Sequence, residues 1–464
     1  MRYVSTRGQA PVLGFEDVLL AGLARDGGLY VPEAWPSLSA VEIRSLSGRP
    51  YAETAAKVLA PYAPGAVAEA DLAKLFAEAY RGFGHVAVAP LKQIGSRHWL
   101  LELFHGPTLA FKDYALQAVG RLFDRVLATR NQRITIVGAT SGDTGSAAIE
   151  ALRDRASVDV FILFPKGRVS EVQRRQMTTV AADNVHCVAL DGTFDDCQDM
   201  VKAMFNDQAF RDRHTLSAVN SINWVRIAVQ IAYYAAASVA LGAPDRRIAF
   251  AVPTGNFGNV FAAYAAKRMG FPIERLVLGS NSNDILTRFL GTAEMTMAPV
   301  VPTMSPSMDI QVSSNFERML FEAVGRDGTR VTELLTRFRK DSRYKLDGEA
   351  MGQIRALFDG HRLDEAGTLE VIRRVYRETG ELVDTHTAIG IAAAERSRLD
   401  PGMPVVSLAT AHPAKFPDAV EKAVGFRPKL PERLHAMMTA KERVQDLPND
   451  VKAVQAFIAG RVRG

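Results

Sequence analysis

From about residue 97 the chain alternates short apolar runs of strand type with amphipathic helical segments, and this alternation constrains the fold more than any other feature. HWLLELF is followed by DYALQAVGRLFDRVLATR, then ITIVGAT, then a helical pattern from about 144. The alternation continues through VDVFILF (158–164), VHCVAL (185–190), IAFAVP (248–253) and LVLGS (276–280). Strands that read as continuous apolar runs, taking turns with helices, predict an α/β fold of open, mostly parallel sheets with helices on both faces. At 464 residues the chain exceeds what one hydrophobic core supports, so two or three packed units are expected.

The pattern divides the chain into four stretches. Residues 1–95 read as a mostly helical N-terminal domain, punctuated by DGGLYVPEAWP, and 96–280 as the α/β core. Residues 281–380 read as a helical insertion or subdomain that includes the Pro/Met/Ser-rich loop MAPVVPTMSPSMDI (297–310). Residues 381–464 return to the core with a helix, HTAIGIAAAERSRLD, and a strand, MPVVSLAT, before one or two peripheral helices from about 430.

Composition narrows the function. Lys plus Arg is 56 and Asp plus Glu is 51, a net +5 without any long basic run, so nucleic acid is not an expected partner. The two cysteines, Cys187 and Cys197, form no metal-spaced cluster and no disulfide framework, which suits a reducing compartment. No metal site is expected. MRYVSTRGQAPVLGFEDVLL has no signal-peptide core, and IAYYAAASVALGA (231–243) is too short for a membrane span. A cytoplasmic protein, monomeric or homodimeric, is the expectation.

Four segments sit where a strand meets a loop or helix, which is where open α/β sheets gather ligands. In FHGPTLAFKDYALQ (104–117), Lys112 follows apolar Leu109, Ala110 and Phe111. Apolar surroundings disfavour the charged amine, as a Schiff-base lysine requires. Taken alone, a snorkelling lysine at a helix start explains the segment more simply. In VPTGNFGNVFAAYAAKRMG (252–270), Gly255 and Gly258 let the backbone approach an anion, and the N–H groups of Asn256, Phe257 and Asn259 complete a loop suited to a single phosphate. It lacks the patterns of a nucleotide P-loop and of a dinucleotide fingerprint, and an ordinary βα turn is its alternative.

In GATSGDTGSAA (138–148), Thr140, Ser141, Gly142, Asp143 and Thr144 open a helix. They can cap it, or they can hold a substrate carboxylate. In SLATAHPAKF (407–416), the Thr410 hydroxyl can meet a pyridine nitrogen or cap the turn at Pro413, and His412 reads as structural.

Together AFKD, ATSGDTG, TGNFGN and LATAHPAKF, in this order, resemble the threonine synthase family of fold-type II pyridoxal-phosphate enzymes, in its long bacterial and fungal form. DGGLYVPE and NSINWVRIAVQIAYY (220–234) extend the resemblance over nearly the whole chain. It implies pyridoxal 5'-phosphate bound covalently by Lys112. The loop Gly255, Asn256, Phe257, Gly258 and Asn259 would hold the cofactor phosphate, and Thr410 the ring nitrogen. Residues 140–144 would bind the substrate carboxylate or the cofactor's ring oxygen. Asp143 departs from the Asn that many fold-type II enzymes carry there, and an acid should not accept a carboxylate, so its backbone would act instead.

The implied substrate is O-phospho-L-homoserine, which loses its γ-phosphate and gains water at Cβ to give L-threonine. Its phosphate needs a second anion site. Arg226 is the candidate, because a guanidinium fork matches phosphate geometry, with Asn223 three residues earlier on the same helical face and Lys415 as a weaker choice. A surface arginine on an amphipathic helix is the alternative. Two other functions remain open: a phospho-lyase releasing 2-oxobutyrate, and a non-catalytic relative that only binds. The N-terminal helices and residues 281–380 are the candidate lids.

Overall fold

The computed structural model describes residues 1–463. Two parallel sheets organise it. The larger has six strands in the spatial order Phe358–Arg362, Ile273–Ser280, Ile248–Pro253, Val405–Ala409, His98–Glu102 and Leu91–Gln93. The first five run parallel, and Leu91–Gln93 closes the edge antiparallel to His98–Glu102. The smaller sheet has five parallel strands: Gln445–Leu447, Val185–Leu190, Val158–Pro165, Ile134–Ala139 and Leu216–Ser217. Every residue of Val158–Pro165 and of Ile248–Pro253 is buried, as expected when helices cover both faces.

The expected strands are present at their expected places, and the differences lie at the edges. Residues 281–380 are mostly helical, yet Phe358–Arg362 pairs in parallel with Ile273–Ser280 and so stitches this stretch into the large sheet. FDGHR is too short and too polar to read as a strand, because an edge strand with charged side chains carries no apolar run. The C-terminal stretch contains the helix Val451–Ala459 but also the edge strand Gln445–Leu447. Leu91–Gln93 already belongs to the large sheet, so the N-terminal stretch ends a few residues before 95.

Trp224, fully buried, joins the N-terminal stretch to the core. Its ring lies 5.7 Å from Tyr62, 5.9 Å from Trp35, 6.2 Å from Tyr3 and 6.4 Å from Phe261. Aromatic groups packed at this spacing bury large apolar areas and favour edge-on contacts. Among the described residues no helix is long and apolar enough to cross a membrane.

Candidate active site

All four motif segments lie at the carboxyl ends of parallel strands. Lys112, the 254–259 loop and Thr410 follow strands of the large sheet, and residues 140–144 follow Ile134–Ala139 of the small one. The lysine loop and the threonine loop are zipped together. Phe111 N–H donates to Thr410 O (2.9 Å), His412 N–H donates to Leu109 O (3.0 Å), and Ala110 bridges Ala411. Leu109 holds the left-handed φ of +63° that this turn requires. Below it, the buried Asp113 carboxylate accepts from Thr108 N–H (2.8 Å) and Thr108 Oγ1 (2.7 Å).

Lys112 opens the helix Lys112–Arg130, and its side chain is 11% exposed. Burial pushes its amine down to about 8, the nearby Arg226 and Lys415 charges push the same way, and Asp143 opposes them. A substantial neutral fraction near neutral pH makes this lysine a usable nucleophile and base, and no such pressure acts on an exposed one.

The 254–259 loop presents backbone donors. The N–H groups of Gly255, Asn256, Phe257, Gly258 and Asn259 find no acceptor among the described residues. They converge at the start of the helix Gly258–Arg268, with Phe257 in a left-handed turn at φ +62°. The side chains shape the loop from behind. Asn256 Nδ2 donates to Ser221 Oγ (2.6 Å), and Asn256 Oδ1 accepts from Ser314 N–H (2.9 Å). Asn259 Oδ1 accepts from Tyr233 (2.6 Å) and Tyr234 (2.7 Å), which leaves its buried Nδ2 without a partner. Five free N–H groups at a helix N-terminus are a phosphate cradle.

In the 140–144 turn, Thr140 Oγ1 accepts from Gly142 N–H (2.9 Å) and Gly145 N–H (2.8 Å), so Thr140 is occupied in building the turn. Gly142, at the N-cap of the helix Asp143–Leu152, has no side chain to cap it, and Thr140 takes only the Gly145 N–H of the first turn. The hydroxyls of Ser141 and Thr144, both partly exposed, and the N–H groups of Ser141, Asp143 and Thr144 have no partner among the described residues. Ser146 Oγ takes the carbonyl of Asp143 (3.1 Å) instead of the free amides.

Arg226 is not on the surface. It is 3% exposed, donates from Nη1 to Val219 O (3.0 Å), and leaves its buried Nε without a partner. Burial pulls its guanidinium down to about 10. No carboxylate pairs with it among the described residues, although it lies close enough to influence Lys112. A buried, uncompensated cation calls for an anion.

Asn223 corrects the expectation of a substrate contact. Its Nδ2 donates to Leu19 O (2.8 Å) and its Oδ1 caps the helix Trp224–Ala240 through Val225 N–H (3.0 Å), so both ends are committed. Lys415 is likewise spent. It is wholly buried, 2.9 Å from Asp143 Oδ1, and donates to Thr108 O (2.8 Å) and Gln176 Oε1 (3.1 Å). His412 accepts from Ala414 N–H through Nδ1 (3.1 Å) and packs edge-on to Phe104, a structural arrangement.

Family models match the chain in sequence order: Threonine synthase N terminus over residues 2–80, Pyridoxal-phosphate dependent enzyme over 84–336, and Threonine synthase, C-terminal over 387–458. Threonine synthase of Pseudomonas aeruginosa is 54% identical over 460 residues, covering 99% of this chain and 98% of that protein. This chain belongs to the threonine synthase family. The threonine synthase of Saccharomyces cerevisiae is 40% identical, over 98% of this chain and 97% of the relative. Among solved structures, a PLP-bound threonine synthase from Brucella melitensis superposes with a TM-score of 0.97 at 52% identity over both full chains. The Escherichia coli threonine synthase gives 0.84 at 30% identity, over 99% of this chain and all of that one.

The threonine synthase fold is thus that of a fold-type II enzyme, and its cofactor is pyridoxal 5'-phosphate. The residues present fit that group: a partly neutral lysine, a cradle of free N–H groups and the Thr410 hydroxyl at a strand end. Sequence reasoning missed Ser221, Tyr233, Tyr234 and Asn315, which shape the loop, and Gln173 and Ser307, which reach Asp143. Only Asn-Ser-Ile-Asn ahead of Arg226 offered a local signal, and within it Ser221 is the residue that reaches the loop.

Proposed function

We propose that this chain converts O-phospho-L-homoserine and water into L-threonine and phosphate, with Lys112 as the residue that binds pyridoxal phosphate and moves the protons. The observation that carries this reading is that the free N–H groups of 255–259 are joined by a second feature suited to an anion, the uncompensated guanidinium of Arg226, which lies close enough to Lys112 to lower its basicity. One phosphate belongs to the cofactor, and the second site asks for a phosphate on the substrate.

When bound, the cofactor supplies an electron sink that acidifies the substrate carbons next to the amine. Lys112 Nζ would hold the cofactor and, once free, would take the proton from Cα and return one. Its lowered basicity suits both directions near neutral pH. Arg226 holds the γ-phosphate as two donors in a fixed fork and stabilises it as the Cγ–O bond breaks. Ser141 and Thr144, with the N–H groups of Asp143 and Thr144, hold the substrate carboxylate at the helix start. Thr140 and Gly142 keep that turn in shape. Thr410 would offer a ring nitrogen a neutral partner, which would moderate the sink and the side reactions it invites. The 297–310 loop lies over the site, since Ser307 O and Met308 Cα are 3.2 and 3.0 Å from where a Cβ on Gly255 would stand, and this supports a role in excluding water.

Both cysteines are free and buried, which supports a reducing compartment such as the cytoplasm. The test is product analysis. Purified protein with O-phosphohomoserine should release phosphate and threonine in equal amounts, and Lys112→Ala should abolish both while keeping the fold. Release of 2-oxobutyrate without threonine would overturn the reading in favour of a phospho-lyase.

A further inference from the structure

Asp143 is an unusual group to find beside an amine that must lose its proton. Its Oδ2 is 3.5 Å from Lys112 Nζ and accepts from Ser307 Oγ (3.0 Å). Its Oδ1 is 2.9 Å from Lys415 Nζ and accepts from Gln173 Nε2 (2.9 Å). An anion this close to a buried lysine ordinarily raises its basicity by about one to three pH units and holds it as an ammonium. Burial by itself would keep the Asp143 carboxyl protonated, but Lys415 and Lys112 hold it well below the usual carboxylate range.

Lys415 explains how the arrangement works. Its ammonium is wholly buried and its three donors go to Asp143 Oδ1, Thr108 O and Gln176 Oε1. It has no donor left for a ligand and no route to one. Its partners come from both halves of the site: Asp143 and Gln176 from the small-sheet side, Thr108 from the lysine loop of the large sheet. The charged groups facing Lys112 are therefore Asp143, Lys415 and Arg226, with Asp113 on its own helix turned back onto Thr108.

We infer that Lys415 is a positioning residue for the reaction: its fixed charge pins and offsets Asp143, so that Asp143 orients the Lys112 amine without locking it in the charged form. The inference rests on the reading of Lys112 as the cofactor-binding lysine. It predicts effects of opposite sign. Removing Lys415 takes away a like charge near Lys112 and leaves Asp143 with Lys112 as its sole cation, and both changes favour the protonated nitrogen. Removing the Asp143 charge favours the neutral nitrogen. Removing both sets the two effects against each other.

The experiment compares wild type, K415M, D143N and the double variant D143N/K415M as holoenzymes. The readouts are the pH midpoint of the cofactor's visible absorbance, the pH midpoint of the acid limb of kcat, and borohydride trapping followed by peptide mass spectrometry at Lys112. K415M should move both midpoints up by about one pH unit or more and D143N should move them down. The double variant should lie between the two single variants and recover about ten-fold or more of the rate lost in K415M. If K415M does not fold, the separation between the midpoints of D143N and of the double variant still carries the comparison. Shifts of the same sign in the single variants, a double variant worse than either, or unmoved midpoints would overturn the inference while trapping at Lys112 leaves the functional reading intact. Trapping at another lysine would overturn the functional reading itself.

Discussion

Arg226→Met should stabilise the cofactor-free fold and cripple the enzyme. The guanidinium is buried with a single hydrogen bond and an orphaned Nε, and burial lowers it from its ordinary value to about 10. That difference corresponds to about 3 kcal/mol of preference against the charged form in the fold. Because the folded value lies below the unfolded one, the cost is fully present at neutral pH and lifts only as pH rises above about 10. Methionine fills much of the same volume without the charge. After allowing about 1 kcal/mol for the lost bond to Val219 O, a net gain of about 1–2 kcal/mol remains. Unfolding a chain of this size changes entropy by about 1 kcal/mol per kelvin, so Tm should rise by about 1–2 °C. The same substitution removes a charge-assisted fork to the substrate phosphate, worth about 3–4 kcal/mol for two bonds, so kcat/KM should fall by about 10²–10³. Differential scanning calorimetry and steady-state phosphate release measure the two quantities on one preparation. A variant that is less stable than wild type yet keeps kcat/KM within ten-fold would refute the reasoning, since it would make Arg226 a structural group.

The remaining predictions are shorter. Asn223→Ala removes a helix cap and leaves Leu19 O without its donor, so it should cost about 2–3 kcal/mol in urea unfolding while kcat/KM measured well below Tm stays within about three-fold. Gly255→Ala places a Cβ 3.0 Å from Met308 Cα and 3.2 Å from Ser307 O, forcing the phosphate loop and its cover apart. Cofactor titration of the apoprotein should show about ten-fold weaker binding or more, and Gly291→Ala, with nothing within 4 Å, should show none. Because Lys112 accepts a proton only when neutral and its amine sits at about 8, kcat should climb with pH and level off above about 8. A profile flat from pH 6 to 9 would contradict that role.

What the residues determine on their own is local. Apolar runs such as VHCVAL and IAFAVP became strands with the bounds read from the sequence, because continuous hydrophobicity suits a strand buried on both faces. The four ordered motifs point to a candidate site, since glycines and small polar residues at a strand end permit close backbone approach to an anion whatever surrounds them. Charged edge strands such as Phe358–Arg362 were invisible, because their pairing depends on a neighbour far along the chain. The same holds for the site's electrostatics. Asn223 and Arg226 look alike as polar residues one helical turn apart, yet packing made the first a cap and the second a buried cation without a counter-charge. Asp143 beside Lys112 was a puzzle in the sequence. Only the tertiary structure brings Lys415, 272 residues further on, against its other oxygen. Local periodicity specifies elements, but which charges meet in a low-dielectric interior is decided by the packing of the two sheets, and that decision sets the chemistry of the lysine.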